Sequence, residues 1–108
     1  MRISGMITPQ RVLVRASAPD KAAVIRALVE ALAADGQVLR DPEACLQDIL
    51  DREASCSTAV GGAVAVPHAK SESVIRPAVA AMTLPEGVAW EAPDGAPVRL
   101  IFLLAVPK

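Results

Sequence analysis

The segment from residue 98 to residue 106 reads Val-Arg-Leu-Ile-Phe-Leu-Leu-Ala-Val and is almost uninterrupted in its apolar character. A run of this kind is typical of a strand at the centre of a sheet, with both of its faces covered. Aromatic residues make up only 2% of the chain, so the core around this strand has to be built from Ala, Val, Leu and Ile. The segment therefore predicts a sheet that is covered by helices or by another chain.

Two amphipathic segments precede this strand and predict helices. Between residues 20 and 34 the apolar residues recur with helical spacing, with Asp20 as a candidate N-cap and Gly36 as a candidate stop. Asp41-Pro42 repeats the start signal, with the proline at the first helical position, and this second helix is expected to end near Arg52-Glu53. The shorter apolar segments predict strands at residues 12–14, 64–66 and 78–84.

Polar and turn-forming residues separate these predicted strands. Residues 70–76 are polar and predict a loop, and Pro85-Glu86-Gly87 predicts the end of the strand that begins at Ala78. Pro67 has no backbone N–H, so strand pairing is expected to end there. This would place the side chain of His68 at the end of a strand.

Helices followed by strands with connections of mixed length indicate an α/β sandwich of sheet and helices. The chain is long enough for one small domain, residues 1–108. A strand that is covered on both faces needs helices on both sides, and two helices are few for that purpose. We therefore expect either that a C-terminal part is missing or that another chain covers the open face, so that this face drives oligomer formation.

The charge balance and the hydropathy argue against several classes of function. Eleven Lys and Arg residues oppose twelve Asp and Glu residues, which gives no indication of nucleic-acid binding or of an anionic membrane surface. No apolar run approaches the roughly 20 residues of a membrane span, so no membrane insertion is expected. The N-terminal segment, residues 1–14, lacks the apolar stretch of a signal peptide. Cys45 and Cys56 are expected to be free thiols in a cytoplasmic protein, with a disulfide as the alternative.

The only histidine of the chain, His68, follows the segment Val60-Gly61-Gly62-Ala63-Val64-Ala65-Val66-Pro67. An imidazole can be uncharged, nucleophilic and protonatable within one working range of pH. A lone histidine has no second histidine with which to share a metal ion. We therefore expect covalent or acid–base chemistry at His68 rather than metal coordination.

The residues that precede His68 suit the acceptance of a phosphoryl group. The Arg52 side chain offers a planar fork of donors that matches phosphate geometry, and the hydroxyl group of Thr58 is a further donor. Gly61 and Gly62 allow backbone N–H groups to approach an anion closely. Such donors are what a phosphoryl group requires beside its nucleophile.

Each of these neighbours also has a structural interpretation. Arg52 could be a cation at a helix end, and Ser57 and Thr58 could cap or turn the chain. For Glu53 we favour a position on the helix surface. Trp90, the only tryptophan, is expected to fill a place in the core or at its edge. The phosphate interpretation therefore depends on His68 and on the spacing of its neighbours.

A pattern of fixed spacing runs through this region: Glu53, then Val60-Gly61, then Val64-Ala65-Val66-Pro67-His68-Ala69. It resembles the active-site pattern of the fructose/mannitol-type EIIA domains (EIIA type 2) of the bacterial phosphoenolpyruvate-dependent sugar phosphotransferase system. The resemblance extends to residues 84–90 and 98–107, and so covers essentially the whole chain. It implies a mixed β-sheet flanked by helices, here without the C-terminal helices of the family.

The resemblance implies a phosphotransferase step with a phosphohistidine intermediate. His68 matches the histidine that accepts a phosphoryl group from phospho-HPr and passes it to a cysteine or histidine of an EIIB unit, for fructose- or mannitol-class sugar uptake. Arg52 and Thr58 match positions that support the phosphoryl group, and no metal or organic cofactor is implied. Family members carry a second histidine after the last strand, which this sequence lacks, and many have glycine in place of Ala63.

Two further functions are compatible with the same resemblance. Similar domains serve as regulators in nitrogen-related phosphotransferase systems or beside transcription regulators, where the phosphorylation state controls partner binding. The absence of a second histidine favours this function, whereas residues 84–90 and the segment that begins at Asp94 favour the sugar branch. An inactive truncated fragment is the third alternative.

Overall fold

The computed structural model describes residues 5–108. Residues 1–4 lie outside the described part, and they begin the segment in which no signal peptide is predicted. A short 3-10 helix, Pro9–Arg11, precedes the first strand. The helices and strands are β1 (Val12–Leu13), α1 (Lys21–Ala33), α2 (Pro42–Ser55), β2 (Ala59–Gly61), β3 (Val64–Ala65), β4 (His68–Ser71), β5 (Ala78–Val88) and β6 (Val98–Pro107).

Both helices begin at the aspartates that the sequence predicts as N-caps. The carboxylate of Asp20 accepts a hydrogen bond from the N–H of Ala23 at 2.8 Å, and that of Asp41 accepts one from Ala44 at 3.1 Å. These bonds satisfy donors that the first turn of a helix leaves unpaired. After α1 the chain turns at Gly36, whose positive φ of 71° is a conformation that glycine adopts without strain. The predicted helices are therefore confirmed.

β6 lies at the centre of the sheet, in which the strand order is β1-β5-β6-β3-β2. It pairs antiparallel with β5 on one side, and parallel with β3 and then β4 on the other. Pro67 separates β3 from β4, but its carbonyl oxygen accepts a hydrogen bond from the N–H of Leu104 at 3.0 Å. Pairing resumes at His68, so the imidazole lies at the first residue of β4 rather than after the last residue of β3.

Two predicted strand boundaries are wrong. The loop predicted over residues 70–76 begins only after Ser71, because β4 continues to that residue in register with the end of β6. The strand predicted to stop at Pro85 continues to Val88. The register of the β5–β6 pair shifts between Thr83 and Val88, and such an irregularity accommodates a residue that cannot donate to the ladder.

One face of the central strands packs against both helices. α1 packs on β5, α2 packs on β4, and their buried side chains form one core with the sheet. The buried residues of β6 are Val98, Ile101, Leu103 and Ala105. On its opposite face, Phe102 and Val106 are 37% and 41% exposed. Within residues 5–108 both helices pack on the same side, so the opposite face of β6 stays partly open, as expected from a chain with only two helices.

The two cysteines lie in different environments. Cys45 is buried and Cys56 is exposed, and both are free thiols. Burial raises the pKa of the Cys45 thiol, because the thiolate would lose its hydration. Among residues 5–108, no helix combines the length and the apolar character that a membrane crossing requires.

Candidate functional site

His68 is half-buried and lines a cleft of about 680 Å³ between α2 and β4. Its Nδ1 atom lies 3.0 Å from the carbonyl oxygen of Val66. A carbonyl oxygen only accepts hydrogen bonds, so Nδ1 carries the proton in this contact and Nε2 keeps its lone pair. Pro67 restricts the preceding residue to extended backbone conformations. The acceptor that selects the tautomer is therefore itself held in place.

One face of α2 forms the opposite wall of the cleft. Ala44, Asp48 and Arg52 follow one another at intervals of four residues, so they lie on the same side of the helix, and all three line the cleft with His68. The Arg52 side chain is exposed, and its Nη1 donates to the carbonyl oxygen of Cys56 at 3.1 Å. A guanidinium group carries five N–H donors. The fold thus brings Arg52 and His68, two of the predicted site residues, into one cleft.

A carboxylate and two hydroxyl groups in the cleft are not predicted from the sequence. Ser71 Oγ donates to Asp48 Oδ2 at 2.5 Å and lies 2.7 Å from Ser73 Oγ. Asp48 stands one helical turn before Arg52, so its spacing was the signal that could have placed it here. The other charged residues that line the cleft are Lys70, Glu72 and Lys108.

The glycine pair lies outside this cleft. Gly61 ends β2, and Gly62 and Ala63 connect it with β3; all three have positive φ angles, of 91°, 64° and 67°. The N–H of Gly62 donates to Asp94 Oδ2 at 3.1 Å, and neither glycine is among the residues that line the cleft. Hydrogen bonds from the N–H groups of Ala96 and Gly62 lower the pKa of Asp94. The structure therefore does not bring Gly61 and Gly62 together with His68 in this cleft, and their anion-binding role stays a prediction.

Thr58 is buried and turned toward Glu53. Its backbone N–H donates to Glu53 Oε2 at 2.9 Å and its hydroxyl donates to Glu53 Oε1. Thr58 is not among the residues that line the cleft. In this structure the hydroxyl proton of Thr58 is directed to a carboxylate, and its phosphate-supporting role stays a prediction. The hydroxyl of Ser57 accepts a hydrogen bond from the N–H of Ala59 at 3.2 Å, as its structural interpretation requires.

Glu53 is only 3% exposed, so its predicted position on the helix surface is wrong. The indole N–H of Trp90 donates to Glu53 Oε2 at 3.1 Å, and Lys21 Nζ lies 3.7 Å from the same oxygen. Leu46, Ile49 and Glu53 follow the spacing of the buried face of α2. That spacing was the signal in the sequence for a buried carboxylate. Trp90 is 5% exposed, which confirms its predicted place in the core.

The cleft combines a nucleophile with donors and charges of both signs. The nucleophile is an imidazole whose proton is held on Nδ1, and the flanking guanidinium and ammonium groups can attract an anion. The His, Cys, Asp and Glu side chains of residues 5–108 form no group of three or more that could hold a metal ion. The arrangement suits the transfer of an anionic group to Nε2 of His68.

Comparison with known sequences gives one family. The family model described as "Phosphoenolpyruvate-dependent sugar phosphotransferase system, EIIA 2" matches residues 6–108. Over 108 residues the chain is 37% identical to the PTS system fructose-specific EIIABC component of Bacillus subtilis (strain 168). The matched region is 100% of this chain but only 17% of that relative, so the chain corresponds to a small part of the longer protein.

Solved structures give the same fold. Nitrogen regulatory protein IIA-Ntr from Neisseria meningitidis matches with a TM-score of 0.88 and 26% identity, over 98% of this chain and 71% of that one. The complex of enzyme IIA-Mtl and phosphorylated enzyme IIB-Mtl from Escherichia coli matches with a TM-score of 0.81 and 28% identity, over 94% of this chain and 70% of that one. These similarities confirm the predicted mixed β-sheet flanked by helices.

Proposed function

Because this chain belongs to the EIIA type 2 family of the phosphoenolpyruvate-dependent sugar phosphotransferase system, we propose that it carries a phosphoryl group on His68 between two partner proteins. The observation that carries the proposal is the contact of 3.0 Å between Nδ1 of His68 and the carbonyl oxygen of Val66. It leaves Nε2 as the nucleophilic atom, on a half-buried ring that lines a cleft.

In the proposed step, the lone pair of Nε2 forms a bond to the phosphorus atom of a phosphorylated donor protein. The bond between phosphorus and the donor breaks at the same time, and its electron pair stays with the donor atom. The proton of Nδ1 does not move, because Nδ1 continues to donate it in a hydrogen bond to the carbonyl oxygen of Val66. No metal, cofactor or free water is needed to balance this exchange, and transfer to the next partner is its reverse on a new acceptor.

The charges of the cleft support a carrier rather than a tight phosphate-binding protein. Arg52, Lys70 and Lys108 attract the phosphoryl oxygens, and charge-assisted bonds from a guanidinium are well suited to them. Asp48 and Glu72 line the same cleft and oppose that attraction. A mixed field of this kind keeps the phosphorylated state from becoming too stable to pass its group on.

The proposed partners are an HPr-like donor and the EIIB unit of a sugar permease of the fructose or mannitol class, reached in the cytoplasm. Support for the second partner comes from the similarity to the complex of enzyme IIA-Mtl and phosphorylated enzyme IIB-Mtl. Support for fructose comes from the fructose-specific relative of Bacillus subtilis. Both partners have to reach the same nucleophile, so each interface is expected to be small and transient.

A regulatory function is the second candidate. The observation that favours it is the similarity to nitrogen regulatory protein IIA-Ntr, with a TM-score of 0.88. In this function the phosphoryl group on His68 would change the affinity for a regulatory partner and would not be passed to a sugar permease.

The test is intact-mass analysis after incubation with phosphoenolpyruvate, enzyme I and HPr. We expect a gain of about 80 Da, one phosphoryl group in a covalent intermediate on the histidine, which is lost in acid and is absent from the variant His68→Ala. No gain in a folded protein would refute phosphoryl carriage on His68 and would leave the inactive fragment as the remaining interpretation.

The same sample distinguishes the two candidate functions. Addition of a purified fructose-class EIIB unit should remove the added mass from this chain and transfer it to EIIB if the protein is a sugar-system carrier. Retention of the added mass, with an EIIB sample shown to accept phosphate from its own EIIA partner, would contradict the transport function and favour the regulatory one.

A further inference from the structure

The buried carboxylate of Glu53 has no part in the phosphoryl-transfer step described above. It lies near the C-terminal end of α2, is 3% exposed, and accepts hydrogen bonds from three donors. These donors are the backbone N–H and the hydroxyl of Thr58 and the indole N–H of Trp90. A buried carboxylate with this many partners holds its neighbours in a defined arrangement, because each buried donor needs an acceptor.

A continuous chain of hydrogen bonds leads from Glu53 to the imidazole. The N–H of Thr58 donates to Glu53 Oε2 at 2.9 Å, and the carbonyl oxygen of Thr58 accepts from the N–H of Val66 at 3.1 Å. The carbonyl oxygen of Val66 in turn faces Nδ1 of His68 at 3.0 Å. We infer that Glu53 is a positioning residue, which fixes the tautomer and the orientation of His68 through the backbones of Thr58 and Val66.

The chain can transmit position because it passes through backbone groups and not through mobile side chains. The N–H and the C=O of one residue belong to the two planar peptide units that meet at its Cα atom, so at fixed φ and ψ the position of one sets the position of the other. Pro67 narrows the conformations of Val66 further. Without the carboxylate, the buried N–H and hydroxyl of Thr58 would lack an acceptor, and the segment would have to shift to recover one. The carbonyl oxygen of Val66 would then no longer be held opposite Nδ1.

This inference extends the proposed function, since it assigns a role to Glu53 in the orientation of the same nucleophile. Its primary test does not require phosphoryl transfer. His68 is the only histidine of the chain, so imidazole nitrogen signals in ¹⁵N NMR spectra belong to it alone. At a pH where the ring is neutral, the chemical shifts of Nδ1 and Nε2 report which nitrogen carries the proton.

Three variants of Glu53 separate positioning from general stabilisation. Glu53→Gln keeps an oxygen for the N–H groups of Thr58 and Trp90, and we expect the Nδ1–H tautomer to remain dominant. Glu53→Met has similar length but no acceptor, and Glu53→Asp withdraws the carboxylate by one methylene. For both we expect mixed tautomers. Ile25→Ala, a core change on α1 that is outside the chain of hydrogen bonds, should lower stability and leave the tautomer unchanged.

The rate of phosphorylation gives the second readout. We expect the phosphorylation rate of Glu53→Met to fall on the order of tenfold. This is the lower end of the loss seen when residues that orient metal-binding histidines by hydrogen bonds are replaced. The rate of Glu53→Gln should stay near that of the unchanged protein. A dominant Nδ1–H tautomer in folded Glu53→Met or Glu53→Asp would overturn the inference. If Glu53→Met does not fold, Glu53→Asp decides. If the tautomer shifts as expected but His68 never accepts phosphate in the unchanged protein, the positioning role stands and the proposed function falls.

Discussion

At the scale of single residues, Ala63 occupies a backbone conformation that favours glycine. Its φ of 67° lies in the left-handed region, which costs a residue with a Cβ atom roughly 1–2 kcal/mol. Glycine at this position would avoid that strain, but its more flexible unfolded chain would lower the free energy of unfolding by roughly 0.5–1 kcal/mol. We therefore expect Ala63→Gly to raise the free energy of unfolding by roughly 0.5–1 kcal/mol, as measured by urea denaturation.

The matched control for this change is Ala65→Gly, two positions further along. Ala65 is fully buried in β3 and is not among the residues with positive φ. The substitution should lower the free energy of unfolding by roughly 1 kcal/mol or more, since it adds chain entropy and removes a buried methyl group. A fall in stability for Ala63→Gly would contradict the strain assigned to this turn.

Sequence spacing predicts Arg52 and His68 in one site, and the structure brings both into one cleft. The sequence does not predict the surroundings of Thr58 and Gly62, because the fold decides which groups accept their hydrogen bonds. The hydroxyl of Thr58 is taken by a glutamate that was expected on the surface. The N–H of Gly62 is taken by Asp94, which is 32 residues away in the sequence. Residue type indicates which groups can donate, whereas tertiary contacts decide what they donate to.

At the scale of elements, the irregular end of the β5–β6 pair depends on Gly87. Its φ is 74°, and a Cβ atom there would lie 3.0 Å from the Cβ atom of Pro97. Gly87→Ala therefore meets both backbone strain and a steric contact. We expect it to lower the free energy of unfolding by roughly 1.5–4 kcal/mol, as measured by urea denaturation. This is the sum of roughly 0.5–1 kcal/mol for a left-handed alanine in place of glycine and roughly 1–3 kcal/mol for an overpacked contact.

Gly95→Ala isolates the backbone part of that loss. Gly95 has a nearly equal φ of 71°, but no atom lies within 4 Å of its hypothetical Cβ position. We expect this variant to lose only roughly 0.5–1 kcal/mol, the net cost already assigned to an alanine in this conformation at Ala63. Equal losses for the two variants would show that the contact with Pro97 is relieved at no cost, contrary to our expectation.

Helices are easier to predict in this chain than strand ends. The caps at Asp20 and Asp41 act within three residues, so local sequence contains the whole signal. The end of a strand depends on what its neighbour offers. Ser71 remains paired because β6 extends to Pro107, and β5 continues past Pro85 because its register with β6 shifts there. Neither partner is evident from the residues of the strand itself.

At the scale of the whole molecule, the buried thiol of Cys45 predicts a loss of stability in alkaline solution. Burial raises the pKa of this thiol from its ordinary value of 9.0. The unfolded chain therefore releases the proton first as pH rises. The contribution of Cys45 to stability is complete below the unfolded pKa, falls as pH rises above it, and is lost once pH passes the higher folded pKa.

Urea denaturation at about pH 7 and about pH 10 measures this effect. We expect the unchanged protein to lose more stability over this interval than Cys45→Ala does, since alanine has no proton to release. The exposed Cys56 supplies the control, because Cys56→Ala should retain the full alkaline loss. A loss of equal size in all three proteins would contradict the assignment to Cys45.

The contact between Trp90 and Glu53 has a practical consequence for the whole molecule. Trp90 is the only tryptophan, and the sequence contains no tyrosine, so the ultraviolet emission of this protein arises from one indole. The indole N–H is bonded to the carboxylate of Glu53, and the Lys21 ammonium lies 5.8 Å from its ring centre. An indole between two such charges responds to changes in the local electric field. The protein thus carries an intrinsic fluorophore at the far end of the hydrogen-bond chain from His68.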